Sequence, residues 1–420
     1  MRDRYLRQLK LVHDDLLRMG SRVEHALAEA MRAQARARLG EAASHALAET
    51  VSAWYAARGL IEPAAHAALH AEQWEQAAAL LADLAERDSL GDVQRLRELI
   101  ERLPEPARAA HPHVALGYAS VLLFTGDRYN PGTAHAVESW VQRAEVVWLA
   151  EENEPMLGRV ATLRAMVAFW QDDMATLFAL AHQASALLDP YDTVYQGICR
   201  LFIAVEALLN GAIADAQSIA LEARTLCIIS QNQQGVLASA FVLASAGLYQ
   251  GNLELAAGLY EEWLASAAGG PEMYEDQSEA QFGLAAVAYE RNELDAAEKH
   301  TLRAQALAHE RHAERLRTQA GLMLARIAQA RGQSGAAQQQ LQALATQAHT
   351  PAIRREIMSW QAWLALATSD LETAARLCGE RTQSPAPAAR LQHEHEALIA
   401  ARLQLAQGNP ARVLAALEPW

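Results

Sequence analysis

Apolar and small residues recur at fixed distances from a series of short polar turns, from the middle of the chain to its end. One residue can mark each turn, and successive marks lie 37 to 41 residues apart: Asp172, Gly211, Gly251, Arg291, Gly332, Ser369 and Gly408. Nine positions before each mark is a large apolar residue: Leu163, Phe202, Val242, Phe282, Met323, Trp360 and Ile399. Five positions after most marks is an alanine: Ala216, Ala256, Ala296, Ala337 and Ala374. A period of this size, with helical spacing on both sides of a tight turn, predicts a solenoid of stacked helical hairpins.

The pattern before these repeats predicts two further segments. In residues 2–39, apolar residues recur at three- and four-residue steps, which predicts one amphipathic helix or two helices joined at Gly20. Turn residues divide residues 41–103 into four shorter helices, and the three prolines of residues 104–113 predict a linker. We therefore expect an N-terminal helical segment (1–40), a small four-helix bundle (41–103) and a superhelix (114–420) that stops inside its last hairpin.

The composition narrows the fold class to all-α. Aromatic residues make up only 6% of the chain, whereas alanine is abundant. Alanine is the best helix former, and its small side chain lets helices approach closely. Alternating runs of β-branched residues, which indicate strands, are nearly absent.

Charge and cysteine content restrict the partners and the compartment. The net charge is -14, although residues 1–40 carry nine basic against five acidic residues. So acidic a chain disfavours direct binding to nucleic acid or to an anionic membrane surface. The three cysteines are far apart, which is typical of free thiols in a reducing cytoplasm, and no apolar run is long enough to cross a bilayer. We expect a cytoplasmic protein.

Candidate catalytic and metal-binding motifs are weak. No GxSxG motif surrounds a serine, so a nucleophile on a strand-to-helix turn is not indicated. His66 and His70 are four residues apart on one predicted helix, but no acidic residue or cysteine at suitable spacing completes a metal site. The sequence therefore predicts a protein that is not an enzyme and that holds no metal or other cofactor.

Several short stretches carry a resemblance to a known family. They are residues 53–60 (AWYAARGL), 64–69 (AAHAAL), 74–78 (WEQAA), 99–104 (LIERLP) and 122–127 (LLFTGD). With the forty-residue repeats, they resemble the tetratricopeptide-like helical-repeat domain of MalT-like regulators, which are ATP-dependent transcription regulators of the LuxR family. The resemblance spans residues 44–420 and implies a right-handed superhelix of tetratricopeptide-like hairpins.

Two hallmarks of these regulators have no counterpart in the sequence. No Gly-Lys pair occurs, so the phosphate-binding GxxxxGK[ST] loop is absent, and we find no C-terminal helix-turn-helix. The resemblance then implies the arm of the regulator that receives a small-molecule inducer or a regulatory protein. We expect a non-enzymatic ligand- or protein-binding module that works with an ATPase or DNA-binding effector in trans.

The N-terminal segment carries a different resemblance. Residues 4–9 (RYLRQL), 14–20 (DDLLRMG) and 23–27 (VEHAL) are similar to the first helix of PhoU-type phosphate-signalling proteins, over residues 1–33. The acidic metal-binding motifs of that family lie on later helices and are not found here. The alternative function is therefore a scaffold in phosphate signalling that docks a transporter or a kinase through this helix.

The first helix of each hairpin in such a solenoid usually lines the concave face, where ligands bind. Polar or aromatic residues on the predicted first helices are the candidate binding residues: Arg164, Tyr195, Arg200, Glu206, Tyr289, Arg326, Trp363 and Arg402. Each also fits a structural role, because aromatic rings can pack between repeats and arginine stems can cover apolar neighbours. Several arginines inside an acidic superhelix predict attraction for an anionic ligand or an acidic peptide.

Overall fold

The computed structural model describes residues 38, 40–87, 93–127, 130–171, 173–267, 274–310, 314–348, 350–382 and 390–417. In these ranges the secondary structure consists of helices joined by short turns, and no strand occurs in them. The prediction of an all-α fold is confirmed. The helices predicted in residues 2–39, including the stretch that resembles a PhoU-type helix, lie outside the described residues except for residue 38.

The chain forms two compact units, Met1–Asn153 and Glu154–Trp420. The described helices of unit 1 are α1 (Glu41–Ala56), α2 (Ile61–His70), α3 (Trp74–Arg87), α4 (Val93–Glu101), α5 (Glu105–Ala110), α6 (Pro112–Thr125) and α7 (Pro131–Ala150). The domain bounds predicted at residues 40, 103 and 114 stay predictions.

The linker predicted from three prolines in residues 104–113 is instead largely helical. It contains α5 and the start of α6. Pro104 is the N-cap of α5, and Pro112 occupies the first turn of α6. Proline is tolerated in a first helical turn because the N–H that it lacks would have no partner within the helix there. The prolines therefore mark helix starts and not an extended linker.

Unit 2 consists of seven helical hairpins in its described residues. The first helix of each hairpin is followed by a second: α8 (Glu154–Trp170) and α9 (Met174–Leu187), α10 (Thr193–Leu209) and α11 (Ile213–Ile229), α12 (Gln233–Tyr249) and α13 (Leu253–Ser266), α14 (Tyr274–Glu290) and α15 (Leu294–Glu310), α16 (Glu314–Ala330) and α17 (Ser334–Gln347), α18 (Pro351–Ala367) and α19 (Leu371–Thr382), α20 (Arg390–Ala406) and α21 (Pro410–Leu417). The predicted solenoid of hairpins is confirmed.

A residue with a positive φ angle ends the first helix in six of these hairpins: Gly211, Gly251, Asn292, Gly332, Ser369 and Gly408. In the fourth hairpin this residue is Asn292 (φ 59°), one position after the predicted mark, Arg291. Glycine and asparagine tolerate the left-handed region far better than arginine does. The predicted mark was wrong by one residue because this turn has no glycine.

The shift by one residue corrects the pattern around the fourth turn. The buried alanine five positions after the mark is Ala297, fully buried, and not Ala296, which is only partly buried. Gly283 takes the place predicted for Phe282, and a Cβ atom there would overlap the Tyr260 ring. Ala288 falls four positions before the corrected mark and is buried.

The first helices of successive hairpins contact each other along the stack, from α8 and α10 to α18 and α20. Among the described helices, no comparable contact joins successive second helices. Long side chains such as Arg224 and Glu262 connect α11 with α13, with Nη2 and Oε1 2.8 Å apart. The first helices therefore lie closer together than the second helices, as on the inner side of a superhelix.

Polar contacts join the turn of one hairpin to the preceding hairpin at three successive junctions. Gln250 Nε2 donates to Gln217 Oε1 at 3.3 Å. One period later, Arg291 Nη2 donates to Glu254 Oε1 at 2.7 Å. In the next period Arg331 bonds Asp295 and Glu298, at 2.5 and 2.7 Å. These contacts come from the position just before each left-handed residue, so they repeat with the hairpins.

Within the described residues, no helix has the length and apolar character that crossing a membrane requires.

The corrected phase of the fourth hairpin can be tested with two neighbouring substitutions. We expect Ala297→Leu to lower the free energy of unfolding by about 1–3 kcal/mol, because the larger side chain has no space between α14 and α15. Ala296→Leu should cost less, since Ala296 is only partly buried. Urea unfolding followed by circular dichroism measures both values, and a larger loss for Ala296→Leu would contradict the assigned phase.

Candidate functional site

Four side chains from the first helices of four successive hairpins form one continuous row. The Arg326 guanidinium on α16 lies 4.3 Å from the ring centre of Tyr289 on α14 and 5.0 Å from that of Trp360 on α18. The Trp360 ring in turn lies 4.5 Å from the ring of His395 on α20. Distances below about 6 Å are typical of cation–π attraction. We call Tyr289, Arg326, Trp360 and His395 the stacked row.

Two further side chains support the stacked row. Trp363 lies one turn further along α18, and its ring meets that of Trp360 edge to face at 5.5 Å. Trp363 also packs against the apolar cores on both sides of α18. Glu290 Oε1 lies 3.5 Å from Arg326 Nη2, so the guanidinium in the row has an acidic neighbour. The row is thus anchored by packing and has little uncompensated charge.

The structure brings together three of the predicted binding residues, Tyr289, Arg326 and Trp363. It places Arg164, Tyr195 and Arg200 in the first two hairpins, away from the stacked row, and Arg402 on α20 with an exposed side chain. Glu206 lines a separate cleft between the first two hairpins. Their role as binding residues stays a prediction.

Tyr195 serves the packing of its own region. Its side chain is only 7% exposed. The Arg159 guanidinium lies 5.1 Å from its ring centre, and Arg159 Nε donates to Asp192 Oδ2 at 2.7 Å. A ring so enclosed offers little surface to a ligand.

The predicted attraction for an anionic ligand is weakened by acidic neighbours. Arg200 Nε lies 4.0 Å from Glu222 Oε2, and Arg326 is next to Glu290. Each nearby carboxylate offsets much of the potential that an arginine would present to an anion. The sequence revealed the arginines but not these partners, which come from other helices or from the end of a helix.

Sequence reasoning missed Trp360 and His395 as members of a surface feature. Trp360 was interpreted only as a core position in the repeat. The signal that could have identified the row is spacing, because residues 289, 326, 360 and 395 follow one another at 34 to 37 residues, close to the repeat length. Aromatic or cationic residues that recur at this period on first helices are candidates for contact between hairpins.

The first helices of the third and seventh hairpins influence each other electrostatically. Tyr249, the last residue of α12, is 57% exposed. Desolvation by the surrounding protein, and secondly the negative charge of Glu394 on α20, raise the pKa of the Tyr249 hydroxyl. A charge on the seventh hairpin thus affects the pKa of a side chain on the third.

A buried ion pair lies directly beside the stacked row. Arg355 on α18 donates from Nε and Nη2 to the two carboxylate oxygens of Glu396 on α20, at 2.8 and 2.7 Å. Both side chains are about nine-tenths buried. Ser359 Oγ lies 3.4 Å from Glu396 Oε1 as a third partner. The pair fixes the sixth hairpin against the seventh where Trp360 meets His395.

A cleft opens between the first two hairpins of unit 2. It is an open groove of about 350 Å³ between α9, α10 and the start of α11, and its lining includes His182, Ile203, Glu206, Ala207, Asp215 and Ile219. His182 Nε2 lies 2.6 Å from Glu206 Oε2. The cleft thus combines apolar walls with polar groups, as ligand pockets do.

The cysteines are separate, buried thiols. Desolvation raises the pKa of Cys199 and of Cys227 to about 11, far above the range of a reactive thiolate.

Among the described residues, no three His, Cys, Asp or Glu side chains come together as the ligands of a metal ion would. His66 and His70 are the two histidines that the sequence offered as possible metal ligands. The Nδ1 atom of His66 lies 3.2 Å from Nη1 of Arg102.

The chain matches one model of a known protein family. The family model described as the MalT-like TPR region matches residues 158–419, inside the stretch 44–420 for which the sequence suggested this resemblance. No curated protein sequence matches the chain.

Several solved structures are similar to the chain at low identity. A Rap protein complexed with competence and sporulation factor is 14% identical, with 84% of this chain and 99% of that chain covered and a TM-score of 0.49. Human IFIT1, as a dimer with m7Gppp-AAAA, is 13% identical, with 89% of each chain covered and a TM-score of 0.45. Yeast Tom70 is 12% identical, with 89% and 91% covered and a TM-score of 0.40. Similarities this distant support no functional argument.

The buried ion pair predicts a difference between single and double substitution. We expect Arg355→Met to lower the free energy of unfolding by about 3 kcal/mol, because it leaves the Glu396 carboxylate buried without its cation. Arg355→Met combined with Glu396→Leu should cost less than the single change, since no buried charge remains. Urea unfolding measures both variants.

The matched control for this test is Arg376→Met. Arg376 pairs with Glu380 on the exposed surface of α19, and losing such a pair costs about 0–1 kcal/mol. Equal losses for Arg355→Met and Arg376→Met would show that the Arg355–Glu396 pair does not hold the last two hairpins together.

The raised cysteine pKa values predict slow alkylation and a fall of stability with pH. At pH 8 we expect iodoacetamide to modify Cys199 and Cys227 far more slowly in the folded chain than in urea. Because the folded state holds the thiol protons up to about pH 11, against an ordinary value of 9, the free energy of unfolding should decrease as the pH rises from 9 towards 11. Rapid alkylation of the folded chain, located by peptide mass spectrometry, would contradict the burial of these thiols.

Proposed function

Because the chain belongs to the family of MalT-like TPR regions, we propose that it is a non-enzymatic regulatory module that binds a segment of another protein. The binding surface would be the first-helix face of the fourth to seventh hairpins, around the stacked row. The module would act in the cytoplasm, as the sensor arm of a regulator, and would pass its signal to an ATPase or DNA-binding effector in trans.

The stacked row is the observation that carries this proposal. Tryptophan, tyrosine and arginine are the residue types that contribute most energy at protein–protein interfaces. In this chain Tyr289, Arg326 and Trp360 lie in contact on the first helices of successive hairpins, and all three side chains are only partly buried. Since the row extends over four hairpins, an extended protein segment matches it better than a small molecule does.

Signal transmission would follow from the way the row connects the hairpins. Arg326 contacts aromatic rings of both neighbouring hairpins, so a partner that displaces its guanidinium changes both junctions. The Arg355–Glu396 pair would carry the change to the last hairpin. Binding would then favour one arrangement of the stacked hairpins over others, which is a population shift. An effector that contacts the rim of the stack could respond to that arrangement.

Site-specific photo-crosslinking tests this function. A photoreactive benzoylphenylalanine would replace Ala330 or Ala367, which are exposed at the ends of α16 and α18, next to the row. A matched probe would replace Gln339, exposed on the second helix α17. In the native cell we expect both first-helix probes to capture the same protein and the probe at residue 339 not to capture it.

A charge reversal completes the test. Arg326→Glu should lower the yield of that crosslinked protein about tenfold or more, the loss expected for a central interface residue. Arg376→Glu on the second helix α19 is the control and should leave the yield unchanged. Capture by the probe at residue 339 alone, or an unchanged yield with Arg326→Glu, would contradict the proposed surface. Capture of a small molecule instead of a protein would also contradict it.

A further inference from the structure

The cleft between the first two hairpins has a size and a lining that suit a ligand different from the protein segment proposed for the stacked row. Its volume of about 350 Å³ falls within the usual range of ligand pockets, about 300–1,000 Å³. It belongs to α9, α10 and α11, whereas the stacked row belongs to α14, α16, α18 and α20. An inference about the cleft therefore goes beyond the proposed function and does not depend on it.

Small residues occupy the turn of the second hairpin, beside the cleft. Ala212 is the N-cap of α11, and it offers no side chain that could accept a hydrogen bond from the first helical turn. At the same position of the neighbouring hairpins, Asp173 and Asn252 fold back and accept from backbone N–H groups. Ala207 lines the cleft on the α10 side.

Two carboxylates are among the polar groups of the cleft. Glu206 from α10 and Asp215 from α11 both line it. His182 Nε2 contacts Glu206 Oε2 at 2.6 Å and so orients that carboxylate. Among the described residues that line the cleft there is no lysine or arginine. His182 already pairs with Glu206, so a positively charged ligand would chiefly offset the charge of Asp215. It would also form charge-assisted hydrogen bonds, which are about twice as strong as neutral ones.

The walls of the cleft are apolar. Ile203 and Ile219 face it from α10 and α11, together with Ala207. An aliphatic stem can pack against such walls while its charged end stays among the carboxylates, as lysine side chains do on protein surfaces. A bare metal ion would leave these walls unused. The described part of the chain also contains no group of three side chains suited to hold one.

We propose that this cleft binds a primary ammonium group at the end of a short aliphatic chain. Glu206 and Asp215 would accept hydrogen bonds from the ammonium group, and Ile203 and Ile219 would pack against the chain. A lysine side chain of a partner protein and a free diamine both have this chemistry.

Ligand-observed NMR on the full chain tests the proposal. Saturation-transfer titrations would compare N-acetyl-lysine amide with N-acetyl-norleucine amide, which has the aliphatic chain but no charge. We expect saturable binding of the lysine compound and at least about tenfold weaker binding of the norleucine compound, since a hydrogen bond to a charged group contributes about 1.5–3 kcal/mol. The double variant Glu206→Gln/Asp215→Asn should weaken binding of the lysine compound by a similar factor.

Glu222→Gln is the matched control, because Glu222 lies on α11 but does not line the cleft. This variant should bind the lysine compound as the unmodified chain does, and circular dichroism should show the same helix content for all variants. Cadaverine distinguishes the two sources of the ligand: tighter binding of cadaverine indicates a free diamine, and tighter binding of N-acetyl-lysine amide indicates a lysine residue. Equal binding of the norleucine compound, full binding by the double variant, or no saturation at the solubility limit would overturn the proposal.

Discussion

Close packing of two helices across a fully buried small residue is the constraint on which unit 2 depends. Ala216, Ala256, Ala297 and Ala374 are completely buried at the same position of their hairpins, five residues after the left-handed turn residue. A methyl group there lets the two helices approach, and the left-handed residue lets the chain reverse within a few residues. Each hairpin is therefore a compact pair, but one pair cannot bury its own apolar face. Stacking on the next hairpin completes the core, so the fold extends by repetition.

Repetition alone does not fix how one hairpin lies on the next, and polar contacts supply that information. In the middle of unit 2, side chains next to the turns, such as Arg291 and Arg331, bond the preceding hairpin. At the sixth hairpin the equivalent residue, Thr368, bonds a carbonyl of its own helix instead. The buried Arg355–Glu396 pair takes over there. The stacked row spans the junctions from the fourth to the seventh hairpin, so the surface proposed to bind a partner also connects the hairpins. Binding and the relative placement of hairpins are coupled for that reason.

The sequence predicted the hairpins well because their determinants are local. Glycines such as Gly211 and Gly332 reveal the turns, and the alanine that follows most turns indicates the phase. The predictions of turns and helix starts were wrong where the residue present has more than one structural role. Asn292 adopts a positive φ angle without being glycine, and Pro112 starts a helix where a linker was expected. The sites were harder to predict because they depend on contacts between residues about one repeat apart. Apolar periodicity could not distinguish a core role of Trp360 from a role in the row. The cleft around Glu206 is lined by residues of three helices, which no local sequence pattern reveals.

Native-state hydrogen exchange on a Trp360→Leu variant tests most directly the claim that the stacked row couples four hairpins. The leucine side chain at position 360 of α18 remains apolar but has no aromatic ring that could stack between Arg326 and His395. The account predicts faster amide exchange in α16 and α20 as well as in α18, with the first two hairpins unchanged. Faster exchange confined to α18 would contradict the account, because the row would then be a local packing feature and not a connection between hairpins.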